Sequence, residues 1–407
     1  MRLFFIIILF FLVACINEKD NKIKFSKNEI AVLELDSTRK VSVHKDNTLI
    51  VDLNNFLEKQ SYYNVGEMIK TIDVIPLETT DKSIIATIKD IIVTDLHIYI
   101  HDEYKGDGIV IFDKQGNFIK RIEKGQGPGE LLPSLKKMVF DIENNELIVF
   151  NNHFFSFYTP DGQFKRGERI PLNALSFAII PNGYLFHSTN GLNNRHIDPN
   201  IEYQILVTDK KYKLISVGFP YVYAEDIIYE GQTRYITTNK DDIDFTFKFT
   251  NCVYQYIDNY NMNLKYMLDI SSKEIPNKLL QIDYKGLMSE LENNDYYFYM
   301  GDYFETMTHD YFRLINLHTR QYTDVYRNKQ TGNCIGGVSR VVDRTLYVPL
   351  EAPISSYGEY FVSYFLPGDS YTNLLTSKVI PDNIVKKLKS LTEEDNPILV
   401  FFELNNF

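Results

Sequence analysis

From residue 84 onward the chain is a succession of short apolar runs broken by polar turns. The stretch HIYIHDEYKGDGIVIFDKQGNFIKRI (97–122) predicts a strand over 97–101 and another over 109–112. A tight DKQGN turn then leads into a third strand over 118–122. The same order of strand, strand, turn and strand returns at 146–170, 184–220, 243–270 and 303–326. Taking the turn as a marker, Asp113, Pro160, Asp209, Asp258 and Leu317 are 47, 49, 49 and 59 residues apart. One more apolar segment precedes each hairpin, at 84–93, 136–142, 175–181, 233–238 and 296–300. Each unit is therefore four short strands over about 50 residues, the pattern of a β-propeller blade.

The long last spacing has a source. In PNKLLQIDYKGLMSELEN (276–293), Leu280, Tyr284, Leu287 and Leu291 share one helical face and predict a helix between the fourth and fifth units. A sixth unit is less regular. Residues 333–353 are read as two strands, 383–395 as a helix with Ile384, Leu388 and Leu391 aligned, and 396–404 as a last strand. The strand it lacks is supplied by KTIDVIPLE (70–78), because joining the two chain ends leaves no open edge in the ring. The expected fold is all-β: a six-bladed β-propeller of four antiparallel strands per blade, with two short helical insertions and closure by N- and C-terminal strands. Residues 30–56 carry enough apolar alternation for a seventh blade and are read instead as strands outside the ring.

A glycine-rich loop, KGQGPGE (124–130), follows the first hairpin. It lacks the lysine and helix start of a phosphate-binding loop, and Glu130 puts a negative charge where phosphate would lie. Gly125, Gly127, Pro128 and Gly129 are read as a structural turn that carries the chain from an outer strand into the next blade.

Composition refines this picture. The aromatic share, 14%, is all Tyr (29) and Phe (28), residues that suit strands. A net charge of −11 spread along the chain argues against nucleic acid as a partner. At the N-terminus Arg2 precedes eleven apolar residues, Leu3 to Val13. At about 1.5 Å per residue they fall short of a hydrocarbon core of about 30 Å, and they suit the apolar part of a signal peptide. LVAC (12–15) resembles the lipobox of bacterial lipoproteins, which implies cleavage before Cys15, diacylation of its sulfur and membrane attachment through that lipid. The expected organisation is a signal peptide over 1–14, a tether and N-terminal extension over 15–45, and the propeller over 46–407. Cys252 and Cys334 remain, either paired by export or as two separate buried thiols.

With these features the chain resembles the six-bladed β-propeller lipoproteins common in Bacteroidota. The resemblance rests on IDVIPLETTDKSII (72–85), IVIFDKQGNFIKRIEKGQGPGE (109–130) and EEDNPILVFFEL (393–404), and covers about residues 50 to 407. It implies an outer-membrane lipoprotein. The biochemical role of that family is largely undefined, so no catalytic residue carries over.

Candidate chemistry is sparse. His97 and His101 share a strand face but stand about 13 Å apart, too far to grip one metal ion. NKDDID (239–244) gathers carboxylates without the spacing of a calcium loop and is read as a solvated turn. No nucleophile motif is present, and no cofactor is indicated. Two aromatic stretches remain, DYYFYMGDYFE (295–305) and the loop EAPISSYGEYF (351–361). They offer Tyr297, Tyr299, Tyr303, Tyr357 and Tyr360 as ligand-binding residues at the mouth of the ring, against a core role for the same side chains. The reading that follows is a lipid-anchored binding module for a peptide, glycan or partner protein. Its rivals are a hydrolase or lyase sited in the channel and a structural subunit of an outer-membrane complex.

Overall fold

The computed structural model describes residues 25–407 apart from 60–67, 104–107, 126, 128–129, 132–134, 152, 190–191, 193, 222–233, 240–241, 339–351 and 368–381. The proposed leader and Cys15 lie outside the described residues, as do Pro128 and Gly129. Six antiparallel four-stranded meanders form the ring. Blade 1 is Ile88–Val93, His97–Asp102, Gly108–Asp113 and Phe118–Ile122. Blade 2 is Lys137–Asp141, Glu146–Asn151, Phe154–Tyr158 and Phe164–Arg169. Blade 3 is Ser176–Ile180, Gly183–His187, Tyr203–Asp209 and Leu214–Pro220. Blade 4 is Ile236–Asn239, Asp242–Thr246, Cys252–Tyr256 and Asn261–Asp269. Blade 5 is Phe298–Glu305, His309–Asn316, Gln321–Asn328 and Cys334–Val338. Blade 6 joins Ser355–Tyr357, Tyr360–Phe365 and Ile398–Leu404 to the N-terminal strand Ile69–Pro76, which completes it from outside. The first strands of successive blades touch around a closed circle, and blade 6 meets blade 1.

Burial explains the sequence pattern. Middle strands are covered by neighbouring blades on both faces, so they read as unbroken apolar runs such as GIVIF and ELIVF. The outer strand of blade 2 meets water: Phe164–Arg169 is exposed along nearly its whole length and carries Lys165, Arg166, Glu168 and Arg169, charges that discourage edge pairing. Each blade interface holds its own apolar core. The blade 2–3 core, for example, packs Phe150, Phe155, Phe157, Phe177 and Phe186 together.

Two sequence assignments are corrected. Leu317 lies in the turn between the second and third strands of blade 5, whereas the other four markers lie between third and fourth strands. The matching turn of blade 5 is 329–333, so the 59-residue interval is not a blade repeat. Cys334–Val338 is the outer strand of blade 5, not part of blade 6. Its place in blade 6 is taken by 355–365, read from sequence partly as a loop. These residues form a hairpin whose turn Gly358 makes with a φ of +59°. The expected helices are present as Tyr284–Asn293 and Asp382–Leu388. Asp283 caps the first by accepting from Gly286 N at 2.8 Å, and Leu280, Leu287 and Leu291 are buried against Phe298 and Ile315.

Residues 25–59 run outside the ring. Arg39–Lys40 pairs in parallel with the outer strand of blade 3, and Ser42–His44 and Leu49–Asp52 pair with that of blade 4. This strap hides two edges that would otherwise present unpaired backbone.

Candidate functional site

The ring has two dissimilar faces. First-to-second and third-to-fourth strand turns lie on one face and are short, as at 94–96 and 181–182. The opposite face carries the remaining connections, including 270–297 and 366–397, and is called the loop face here. The KGQGPGE turn belongs to it: it links blade 1 to blade 2, Gly125 N donates to Leu131 O, and Glu130 accepts from Gly127 N at 2.7 Å. The amide that could have met a phosphate is thus occupied by the loop's own carboxylate.

At the loop-face end of the inner strands, charged groups from four blades converge. Lys137 of blade 2 donates to Asp90 of blade 1 at 2.9 Å. Arg234, just before the inner strand of blade 4, donates through Nη2 to the Lys89 carbonyl of blade 1 at 2.8 Å. Its Nη1 lies 3.4 Å from Asp302 Oδ1 of blade 5, and its guanidinium carbon 5.5 Å from the centre of the Phe304 ring. Blades 1 and 4 are opposite one another in a ring of six, so Arg234 bars the channel. Burial pushes the Asp302 carboxyl up from its ordinary value, and the Arg234 and Arg313 guanidiniums offset only part of that rise.

A second charged layer lies between blades 4 and 5. Lys265 donates to Asp244 at 2.6 Å and Glu305 at 3.0 Å, and Lys329 donates to Glu305 at 2.7 Å. Arg327 donates to Asp310 at 2.8 Å. Burial raises the Asp244 carboxyl to about 8, against the pull of Lys265. Asp244, Glu305 and Asp310 face Lys265, Lys329 and Arg327, and these contacts bond one blade to the next.

The sequence-derived aromatic candidates are placed differently from one another. Tyr297, Tyr299 and Tyr303 are fully buried in the blade 4–5 core, so they present no surface to a ligand. The Tyr303 hydroxyl lies 3.0 Å from Asp310 and 3.1 Å from Glu305, inside that charged layer. Inner strands are covered from both sides, which puts both alternating sets of rings in contact with core. Tyr357 and Tyr360 face each other across the blade 6 hairpin, half-buried, on the short-turn face. Tyr357 donates to Asp95 at 2.7 Å and lies beneath Lys114. His97 pairs with Asp161 at 3.1 Å, and His101 is buried. Asp242 accepts from Gln255, Asp244 is in the buried layer, and 240–241 fall outside the described residues. Among the described residues no group of three or more His, Cys, Asp or Glu is placed to hold a metal ion. Cys252 and Cys334 form no disulfide. No helix among the described residues is long and apolar enough to cross a membrane.

Sequence reasoning missed Arg234. The one available signal was its isolation as the sole basic residue between Lys213 and Lys240, at the entry to an inner strand.

Comparison with known proteins agrees with this architecture. Residues 48–403 match a family described as a domain of unknown function, DUF4934. The chain is similar to a crystal structure of a Bacteroides fragilis protein inferred to be exported. The TM-score is 0.72 at 18% identity, covering 88% of this chain and 100% of that one. It is more distantly similar to BamB of Moraxella catarrhalis, with a TM-score of 0.37 at 8% identity, covering 72% and 85%. No curated protein matches the sequence.

Proposed function

We propose that this chain, which belongs to the DUF4934 family, is an exported, lipid-anchored binding module whose working surface is the loop face of the propeller. The observation that carries this reading is the asymmetry of the ring. A scaffold fixed by six interblade cores gathers its long connections on one face, around a polar channel mouth. The partner is a peptide, glycan or protein of the cell envelope. Export is supported by the apolar N-terminal run with its LVAC ending and by the exported character inferred for the similar Bacteroides fragilis protein. Placement in the outer membrane follows the family resemblance.

A channel-sited hydrolase or lyase is the second reading. It draws on the ionisable side chains that four blades bring to the mouth. Lys137 is engaged with Asp90 there, and among the described residues no group of three or more His, Cys, Asp or Glu is placed to hold a metal ion, so the binding role is preferred.

Two experiments test the proposal. Cys15→Ala should abolish incorporation of labelled palmitate and release the protein from the membrane fraction; retention with label elsewhere removes the anchor. A photo-reactive residue at exposed Lys285 on the loop face should capture an envelope component in cells, and one at Glu143 on the short-turn face should not. Capture at Glu143 alone would place the working surface on the other side.

A further inference from the structure

Arg234 is a buried cation with too few partners. Its side chain is 9% exposed. A guanidinium carries five N–H donors. Here Nη2 donates to Lys89 O, Nη1 reaches Asp302 only at 3.4 Å, and Nε has no hydrogen-bond partner among the described residues. A buried polar group left unsatisfied in a folded protein calls for an explanation. The neighbouring Arg313 shows the contrast: its Nε donates to Asp324 at 2.8 Å and its Nη2 lies 3.5 Å from the same carboxylate. Both arginines belong to the layer around Asp302, yet one holds its carboxylate closely and the other does not.

We propose that the Arg234 guanidinium at the channel mouth receives a carboxylate group of the ligand. The proposal rests on the loop face being the working surface and names the chemistry recognised there. The planar fork of an arginine matches a carboxylate in two parallel hydrogen bonds, and a partly dry site strengthens them. Charge decides between a carboxylate and a phosphate. Lys89, Lys137 and Arg234 face Asp90, Asp302 and the more exposed Glu103, which pairs with Lys89. Among the described residues these groups carry equal numbers of both signs, so they offer a dianion no excess charge to neutralise. A single carboxylate needs only donors that Arg234 leaves unused. Asp302 then competes with the ligand for the same guanidinium.

The test uses the full chain, titrated by calorimetry with a trimer of galacturonic acid, with triglutamate, and with inorganic phosphate for comparison. One of the two carboxylate probes binds, and which one tells a sugar acid from an acidic peptide; phosphate binds more weakly. Arg234→Gln weakens the carboxylate probe about 10- to 100-fold, and Arg234→Lys recovers part of the loss. Asp302→Asn, which removes the competing carboxylate, tightens binding several-fold, a change that a purely structural Arg234 would not produce. It also decides the matter should Arg234→Gln not fold. The proposal is overturned if neither carboxylate probe binds the wild type, if Arg234→Gln binds equally well, or if Asp302→Asn leaves affinity unchanged or lower. Capture at Lys285 together with no carboxylate binding sinks this proposal and leaves the loop-face reading standing; no capture at Lys285 sinks the reading itself.

Discussion

His187 closes the second strand of blade 3 with its ring stacked on Tyr235, centroids 4.0 Å apart and planes 12° from parallel. It is fully buried, its Nδ1 has no hydrogen-bond partner, and burial, with Lys248 adding to it, depresses its basicity to about 3. The unfolded chain takes up this proton below about 6.5, whereas the folded protein resists until about 3. A depressed folded value means stability present above the unfolded value and lost as pH falls below it. Between pH 7 and pH 5 this one ring should cost about 2 kcal/mol. Urea unfolding of wild type and His187→Phe at the two pH values checks the figure: the variant should lose less stability on acidification by about that amount. Equal slopes would show that the ring is solvated in solution.

At the scale of elements, the repeat is a property of one turn. Asp113 accepts from the amides of Gln115 and Asn117, Asp209 from Lys211 and Lys213, and Asp258 from Tyr260 and Asn261. The turns of blades 1, 2 and 4 also lean on the preceding blade. Gly116 O accepts from Glu78 N at 2.8 Å, Pro160 O from the Tyr99 hydroxyl at 3.0 Å, and Asn259 O from Ser216. The lean dictates glycine at 116. Its φ is +86°, and a Cβ there would lie 2.3 Å from Pro76 O, on the strand that closes the ring. Gly332 has a similar φ of +78° but nothing within 4 Å. Gly332→Ala should therefore cost only the backbone strain, about 1 kcal/mol, and Gly116→Ala about 2–4 kcal/mol. Chemical denaturation of both variants separates strain from packing; equal losses would mean that the turn does not press on blade 6. The turn pattern was legible in sequence because its hydrogen bonds are local. The misassigned Leu317 shows the limit, since its turn also follows a strand and holds polar residues, and only pairing tells which two strands it joins.

For the whole molecule, both chain ends hold the ring. The strand Ile69–Pro76 lies along Ile398–Leu404, and residues 25–59 strap the outer edges of blades 3 and 4. Removing residues 1–66 should leave a folded ring with the edges of Leu214–Pro220 and Asn261–Asp269 uncovered. Light scattering should then show association that rises with concentration. Removing residues 1–77 takes out a strand from blade 6, and near-UV circular dichroism should report loss of the native fold. A 1–77 deletion that stays folded and monomeric would mean that the ring closes without its outermost strand.

The sequence by itself determined the blade count, the strand rhythm and the closure by distant strands. These follow from periodic burial and from local turn chemistry that several units repeat. It also marked the two helices, through Leu287 and Leu291 on one face and through the 383–395 segment. What it left open was the fate of side chains whose neighbours come from other blades. Tyr297, Tyr299 and Tyr303 read equally well as a platform or as core, and burial on both sides of an inner strand settled them as core. The contact of Arg234 with Lys89, 145 residues away in sequence, has no local signature. It exists because a ring of six sets the first blade opposite the fourth, and that relation arises only when the circle closes.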